Sequence, residues 1–458
     1  MADGNKDRIE RDSMGEVRVP KTALYGAQTQ RAVDNFSISQ QRLPPAFLRA
    51  LVLLKSSAAE VNGQLQLLSP RQAQAILKAC DTLLADEDLQ QHFPVDVFQT
   101  GSGTSTNMNA NEVIAHLASE ACGELISPND HVNLGQSSND VIPTVIHLSA
   151  SIALKESLFP ALVHMESVLD SRATQLDGHI KTGRTHLMDA MPVSLGQVLR
   201  GWKSQFSANR EQLSNLQAAL GGTALGGTAV GTGVNAHPDF ARGVGDLICK
   251  KTGLTFGPAA DYFAAIGSQD TAVAVSGQLK TLAVTVLKIA NDLRWMNSGP
   301  LAGFGEIELE ALQPGSSIMP GKVNPVLPEA AAMVAAQVIG NDTAITVGGQ
   351  SGNFELNVML PLIAKNLLES TLLLANVLVP LADRAVATFK VNEANLAAPL
   401  QKNPILVTAL NPVVGYLKAA EIAKEAYASG RPVVDVAVDM TELSREELED
   451  LLDPAGLV

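Results

Sequence analysis

Three stretches of the chain repeat an apolar residue at alternating intervals of three and four positions. The clearest contains Val275, Leu279, Leu282, Val286, Ile289, Leu293 and Met296. Such intervals place side chains on one face of an α-helix, so this stretch predicts a helix of at least three heptads. Two further stripes predict helices of similar length, one from Leu195 to Leu220 with a polar interruption at Asn209, the other from Leu356 to Leu381.

A fourth apolar pattern begins near Asp140 and meets Pro160, where the missing backbone donor predicts a kink or an end of the helix. Helices of this length exceed the globular average and pack side by side as bundles. The stripes have almost no charge at their flanks, which predicts that more than one face is buried and that copies of the chain assemble. The predicted fold class is therefore all-α. From periodicity alone, a purely structural bundle is an equally good interpretation.

Length and changes in composition predict three domains. A chain of 458 residues is too long for one ordinary core. We expect a mostly helical N-terminal domain over 1–135 with a short hairpin near Glu16–Val19, a central long-helix domain over 136–390, and a small helical C-terminal domain over 391–458. The Gly/Thr-rich segment from Ala219 to Gly233 is predicted to separate two long helices, and the polar segment from Val391 to Pro404 is predicted to be irregular.

Charge and composition restrict the partners and the compartment. Charged residues make up 17% of the chain, against about 25% in typical proteins, and the formal net charge is -14. An acidic chain is poorly suited to nucleic acid or to an anionic membrane surface, whereas a few cations in one cleft still suit a small anionic substrate. Three cysteines in no CxxC pair, no apolar leader and no uninterrupted apolar run near 18 residues favour a cytoplasmic protein that spans no membrane.

Four loops are rich in small polar donors, and each ends where a helix is predicted to begin. They are QTGSGTSTNMNANE at 99–112, SPNDHVNLGQSSND at 127–140, GRTHLMDAMP at 183–192 and GSSIMPGKVNP at 315–325. Helix N-termini offer unpaired N–H groups and the positive end of the helix dipole, so together these loops predict an anion-binding site. Ordinary helix capping explains any one of them taken alone.

The histidines and the lysine loop exclude two common kinds of site. No HExxH or zinc-like pairing occurs, and Glu112, His116 and Glu120, spaced by four, predict one solvated helix face. The segment around Lys322 is not a phosphate-binding P-loop, because five residues rather than four separate its glycines and no Ser or Thr follows the lysine. His186 lies in a donor loop, where a carboxylate from another loop would make it a proton donor or acceptor near neutral pH.

The same loops resemble a known family. GSSIMPGKVNP is very similar to the signature of the fumarase/aspartase superfamily, and GSGTxxNMNxNE, NLGQSSNDVIPT, GRTHLMDAMPVSLGQ and SGNFELNV resemble blocks of the class II fumarases, as does LVTALNPVVGYLKAAEIAKEA. These segments cover nearly the whole chain in family order. The resemblance implies a three-domain, mostly helical fold and a homotetramer whose long central helices form a 20-helix core, with active sites shared among three chains.

The reaction that this resemblance implies is the reversible addition of water to fumarate, giving L-malate, with no metal or organic cofactor. Proton removal beside a carboxylate creates an aci-carboxylate intermediate, so the chemistry requires a base, donors on one carboxylate and a general acid opposite. By resemblance, Ser316 is the base, Lys322 and Asn324 hold the carboxylate that gains charge, and His186 paired with Glu329 acts on the water side. The other implied substrate-binding residues are Ser102, Gly103, Thr104, Ser137, Ser138, Asn139, Thr185 and Ser317.

A second, peripheral dicarboxylate site of the family lies at its Pro-Asn-Asp segment, which histidine commonly precedes. In this chain the preceding residue is Ser127, while Asn129 and Asp130 are retained. The resemblance therefore implies that the accessory site is altered and that catalysis is unaffected.

Other functions fit parts of the pattern. Aspartate ammonia-lyase shares the serine base, and VNPVLPE is closer to that branch, whereas SGNFELNV and IGNDTAITVGGQ are closer to fumarases. Argininosuccinate and adenylosuccinate lyases match poorly around His186 and after residue 350. A non-catalytic helical scaffold would have no reason to keep Ser316, Lys322 and Asn324 in a loop of glycines and prolines.

Overall fold

The computed structural model describes residues 7–458, and the chain is mainly helical. Its α-helices are α1 Ala27–Asn35, α2 Pro45–Gln64, α3 Pro70–Ala85, α4 Thr104–Cys122, α5 Ser138–Ala153, α6 Phe159–Gln175, α7 Leu195–Ala219, α8 Phe240–Thr252, α9 Tyr262–Gly267, α10 Asp270–Met296, α11 Val326–Gln350, α12 Leu360–Leu381, α13 Glu393–Lys402, α14 Asn411–Val414, α15 Tyr416–Ser429, α16 Val433–Met440 and α17 Arg445–Leu451.

Ten short strands form two-stranded sheets and no larger sheet among the residues described. They are β1 Asp7–Asp12, β2 Gly15–Pro20, β3 Ile180–Thr185, β4 Met188–Ser194, β5 Gly222–Thr223, β6 Gly257–Pro258, β7 Ile307–Glu308, β8 Gly352–Asn353, β9 Leu356–Asn357 and β10 Lys390–Val391. The pairs β1/β2, β3/β4, β7/β10 and β8/β9 are antiparallel, and β5/β6 is parallel. The hairpin expected near Glu16–Val19 is thus present, and the fold is mainly helical rather than purely so.

The described residues pack as two units. The first comprises the chain up to Pro160 together with Glu211–Ala283 and Ala336–Ala375, and the second comprises Ala161–Arg210, Val284–Ala335 and Asn376–Val458. Within the second unit, residues from Leu406 to Leu452 share a separate apolar cluster that includes Leu410, Ile422 and Leu448. The three-domain division stays a prediction.

The predicted stripes coincide with the long helices except at two ends: Leu220 follows the last residue of α7, and Leu356 lies in β9, before α12 begins at Leu360. Every apolar position of the Val275 to Met296 stripe is buried in α10. Asn209, the polar interruption of the α7 stripe, is also buried, and its side-chain amide donates to Thr285 Oγ1 of α10 at 3.1 Å. A hydrogen-bonded amide thus occupies a core position at little cost, because its donor is satisfied.

Proline accounts for a local change of helix geometry. The pattern starting near Asp140 is realised as α5 and α6 joined without a break by a π-helical turn, Leu154–Leu158, which ends two residues before Pro160. The wider turn accommodates the missing N–H of the proline, so the helical backbone does not end there.

Two expectations from local composition are wrong. The segment from Val391 to Pro404 is not irregular, because most of it forms α13. Glu112 does not face solvent: it is buried on α4, and its carboxylate accepts the backbone N–H groups of Gly26, Gln28 and Thr29 at 2.9–3.1 Å. These N–H groups begin α1, which has no side-chain cap of its own, so Glu112 caps that helix from a distant part of the sequence.

The long helices are more apolar than the absence of an uninterrupted 18-residue apolar run predicts. By length and composition alone, four described segments could cross a membrane, namely Ser138–Gln175, Asp270–Met296, Val326–Gln350 and Leu360–Val386. The third has the least buried apolar window, at 33%. Its exposed residues recur at helical spacing and none is charged: Met333, Ala336, Gln337, Gly340, Thr343, Thr346, Val347 and Gln350. An exposed helix face of this length without charge is typical of an interaction surface.

Candidate active site

The first group of predicted site residues lies where α4 and α5 begin. A chain of hydroxyl groups connects the two helices: Ser102 Oγ is 2.8 Å from Thr104 Oγ1, which is 2.7 Å from Ser138 Oγ. Gly103 has φ +71°, and a Cβ there would lie 2.9 Å from Ile142, so glycine is required by both conformation and space. Two helix N-termini with aligned hydroxyl groups form an arrangement that suits a carboxylate.

Ser137 and Asp140 hold the start of α5 in place. They form a reciprocal capping box, and the second carboxylate oxygen of Asp140 accepts the N–H groups of Gly226 and Thr228 at 3.0 and 2.9 Å. Burial raises the pKa of Asp140 to about 6, so at neutral pH the carboxylate that these N–H groups require predominates. Asn139 donates its amide to Ala229 O at 2.8 Å, which ties the same loop to the Gly/Thr-rich segment.

The second group lies on the loop before α11. Ser316 Oγ accepts two backbone N–H groups of its own loop, from Ile318 at 3.2 Å and Met319 at 3.0 Å. The loop is closed by Asn324, whose side-chain amide donates to Gly315 O at 2.7 Å. Gly315 cannot be larger, because a Cβ would lie 2.6 Å from Lys322 O. The two N–H groups are of the kind that stabilises negative charge on the serine oxygen.

A cavity of about 1150 Å³ adjoins this loop. Its lining includes Lys322, Asn324 and Glu329 together with Arg294, Asn297 and Lys390. Glu329 lies in the first turn of α11, where the helix dipole favours a carboxylate. The ammonium group of Lys322 has no acidic partner among residues 7–458 and is exposed, so it is available to an anion.

Thr185 and His186 lie at the exposed tip of the β3/β4 hairpin. Thr185 pairs with Met188, which leaves His186 and Leu187 as a two-residue turn with φ +56° and +63°. Such turns usually contain Asn or Gly, because a positive φ raises the conformational free energy of other residues. A histidine and a leucine in this conformation store backbone strain at the tip of the hairpin.

A buried ion cluster fixes the base of the same hairpin. The carboxylate of Glu306 accepts the Lys181 ammonium at 2.8 Å and also binds the Arg184 guanidinium, which lies over the Phe304 ring. Lys181 and Glu306 are 6% and 4% exposed. Burial lowers the pKa of Lys181, and the charge of Glu306 opposes that decrease. Local sequence patterns do not predict this cluster, because Glu306 lies more than 120 positions from Lys181 and Arg184.

Not every predicted site residue meets its partner within one chain. His186 and Glu329 are joined by no hydrogen bond or ion pair among the residues described, and neither Thr185 nor His186 lines the cavity. Ser317 is exposed next to Ser316. At the accessory position, Ser127 Oγ bonds the Asp130 carboxylate at 2.8 Å, while Asn129 is exposed.

The strain at the hairpin tip is testable. Leu187→Gly removes the penalty of a positive φ, and we expect it to raise the free energy of unfolding by up to about 1 kcal/mol. We also expect a lower kcat, because a glycine tip holds His186 less firmly. Leu187→Ala is the control, since it removes the side chain and keeps the strain. Thermal unfolding and steady-state kinetics of both variants test this prediction. Equal stability of Leu187→Gly and Leu187→Ala would show that the positive φ at position 187 does not cost stability.

Known proteins share this fold and these loops. A family model described as "Lyase" matches residues 15–340, and one described as "Fumarase C C-terminus" matches residues 406–458. The solved structure of class II fumarase from Schistosoma mansoni has a TM-score of 0.96 with 35% identity, over 98% of this chain and 99% of that one. The fold and the loops therefore define a lyase of the fumarase superfamily.

Curated sequences place the chain within that superfamily. It is 65% identical to fumarate hydratase class II 2 of Pseudomonas aeruginosa over 450 residues, 98% of both chains. It is 54% identical to fumarate hydratase class II of Xylella fastidiosa, over the whole of this chain and 96% of the other. The chain belongs to the class II fumarate hydratase family.

Proposed function

We propose that this chain catalyses the reversible hydration of fumarate to L-malate, with Ser316 as the base. The observation that carries the proposal is the geometry of the Ser316 loop: two backbone N–H groups point at the serine oxygen, and Lys322 and Asn324 of the same loop line the cavity, which Ser316 itself does not line. Family membership supports the same reaction. It is the reaction class of a carbon–oxygen lyase, and it belongs to the tricarboxylic acid cycle.

In the direction from malate, the Ser316 alkoxide removes the proton from the carbon next to a carboxylate. The Ile318 and Met319 N–H groups stabilise the alkoxide, and Lys322 and Asn324 stabilise the carboxylate as it gains charge. Each such donor contributes about 2.7–4 kcal/mol if it acts like an oxyanion-hole donor. Asn324 donates one amide N–H to Gly315 O, which leaves its second N–H for the substrate carboxylate.

We assign to His186, paired with Glu329, the protonation through a water molecule of the hydroxyl oxygen on the neighbouring carbon. The C–O bond then breaks, water leaves and the double bond of fumarate forms; in the reverse direction the same pair activates the water that adds. Ser102, Gly103, Thr104, Ser137, Ser138, Asn139, Thr185 and Ser317 bind the substrate carboxylates. Because His186 and Glu329 are not joined within one chain, we propose that they come from different chains of a homotetramer with active sites shared among three chains.

The helix faces support the tetramer. The uncharged exposed stripe of α11, from Met333 to Val347, is suited to pack on other subunits in a 20-helix core rather than to face water or lipid. Sedimentation of the native protein should give four chains per particle. Met333→Asp should lower that number and the activity together, because a buried charge without a partner opposes assembly.

The assay that tests the function uses ultraviolet absorption by fumarate. The protein is mixed with L-malate and, separately, with L-aspartate. Formation of fumarate from malate alone supports the proposal. Formation of fumarate from aspartate alone would show an aspartate ammonia-lyase. No fumarate from either substrate would favour a non-catalytic scaffold.

The composition of the chain also indicates its compartment and its partners. We place the enzyme in the cytoplasm, with no nucleic-acid or membrane partner and no cofactor. We also expect weakened binding at the accessory site of Ser127, Asn129 and Asp130, because Ser127 and Asp130 bond each other.

A further inference from the structure

A fully buried lysine lies behind the loop that leads to Ser137, Ser138 and Asn139. Lys55 on α2 is 0% exposed. Its ammonium group donates to Asn133 Oδ1 at 3.0 Å and to Gln136 Oε1 at 2.9 Å. Gln136 immediately precedes the three residues assigned to substrate binding. No carboxylate lies within ion-pair distance of Lys55 in the part of the chain that the structure describes.

The amide groups around Lys55 converge on Asn133. Its Oδ1 also accepts from Asn107 at 3.2 Å and Asn111 at 3.1 Å, and its own amide donates to Gln136 O at 3.1 Å. Gln136 in turn donates to Val132 O at 3.1 Å. The turn before Ser137 is thus held by side chains that Lys55 polarises, and charge-assisted hydrogen bonds are the stronger kind.

Stability does not explain a cation in this place. Taking an ammonium group out of water costs several kcal/mol, and an apolar residue of similar size is often as stable or more so. Two neutral side-chain amides and one backbone carbonyl already satisfy much of the hydrogen bonding of Asn133. A positive charge behind a loop that binds a dianion, however, stabilises the substrate and the more highly charged intermediate.

We propose that Lys55 is a positioning residue for fumarate hydration: its buried ammonium group holds Asn133 and Gln136 so that Ser137, Ser138 and Asn139 face the dicarboxylate, and its charge attracts that dianion from behind the loop. The proposal rests on the proposed function. Lys55 touches no substrate and acts through the loop.

The protonation of Lys55 gives the proposal a pH signature. Burial lowers the pKa of Lys55 to about 7. The titratable groups that face it are Asp140 on α5, whose charge opposes this decrease, and Cys80 on α3, whose pKa burial raises to about 12. Lys251 on α8 contacts Ser56 and Ser57 on the next positions of α2. The free enzyme therefore carries the Lys55 charge below about pH 7 and loses it as the pH rises through that value.

The test compares Lys55→Met with the wild type and with Lys251→Met. The control removes a cation that contacts the same helix but not the amide groups of Asn133 and Gln136. We expect Lys55→Met to keep the native assembly and melting temperature. It should lower kcat/KM for fumarate by about tenfold or more, as is typical when a residue that orients the binding side chains is lost. KM should rise and kcat fall, whereas Lys251→Met should change kcat/KM by less than about twofold.

The pH dependence separates positioning from a structural role. The ratio of wild-type to Lys55→Met kcat/KM should be largest at pH 6.5 and shrink several-fold by pH 8.5, because the wild type loses its buried charge over that range. A ratio that does not change with pH, or a variant that melts earlier with unchanged kcat/KM per folded enzyme, would overturn the inference.

A second variant tests the inference if Lys55→Met does not fold. Lys55→Gln keeps a hydrogen-bond donor without the charge, and we expect the same kinetic defect. If neither variant folds, the lysine is structural and the inference is wrong. If the wild type does not hydrate fumarate, the proposed function is wrong. If the wild type is active and both Lys55 variants have the same kcat/KM as the wild type, only the role of Lys55 is wrong.

Discussion

Ser316→Ala should lower kcat for fumarate hydration by about 10²–10⁴-fold, the range of a positioned proton-transfer group. The alanine leaves the Ile318 and Met319 N–H groups in place but removes the oxygen on which they stabilise negative charge. Because Ser316 is in a loop and caps no helix, we expect the assembly to persist. Steady-state kinetics and sedimentation check both parts.

Substrate binding distinguishes loss of the base from collapse of the loop. Succinate, which has no double bond to hydrate, should still bind Ser316→Ala with little change in affinity. Gln313→Ala, an exposed change in the same segment, is the control and should keep near-normal kcat. A Ser316→Ala enzyme with wild-type kcat would remove the serine from the mechanism, and one that dissociates into monomers would show that the loop is structural.

Glu306→Ala should cost about 3–5 kcal/mol of stability, because it leaves the buried Lys181 ammonium without its carboxylate. It also frees Arg184 at the base of the hairpin that carries His186, so activity should fall with stability. Chemical denaturation and kinetics of the variant measure the two losses. Glu310→Gln breaks the exposed pair with Arg384 and is the control, for which we expect no measurable change.

The pH dependence of this variant follows from Lys181. Burial depresses the pKa of Lys181, and Glu306 opposes that effect, so removing Glu306 depresses it further. A lysine with a depressed folded-state pKa costs stability while it must be protonated, and that cost disappears as the pH rises towards the ordinary lysine value of about 10.5. The deficit of Glu306→Ala should therefore shrink between pH 7 and pH 10. A deficit independent of pH would show that lost packing, not charge, causes it.

Periodicity predicted the parts of the fold that repeat locally. The stripe from Val275 to Met296 defined α10, and Pro160 marked the position of the π-helical turn between α5 and α6. The donor loops were also visible, because Ser, Thr and Asn before an apolar pattern have a local meaning as caps and anion sites. Such features depend on neighbours within a few positions.

Features set by distant partners were not predictable in this way. Glu112 looked like part of a solvated face because its partners, the first N–H groups of α1, lie more than 80 positions away. The lysine of α2 and the carboxylate at position 306 were missed for the same reason. A usable signal for Glu112 existed, since Val113, Ile114 and Ala115 directly follow it and make a fully solvated face at this level of the helix less plausible.

The uncharged exposed stripe of α11 also bears on how the protein is made. In the proposed tetramer other chains cover that stripe, so a newly folded single chain would present it to water before assembly, and an exposed surface of this kind also favours disordered aggregation. Refolding from denaturant should therefore have an optimum: very dilute chains assemble too slowly, and concentrated chains precipitate. In a cell, synthesis of several copies of the chain close together would shorten the time for which a single chain exposes the stripe.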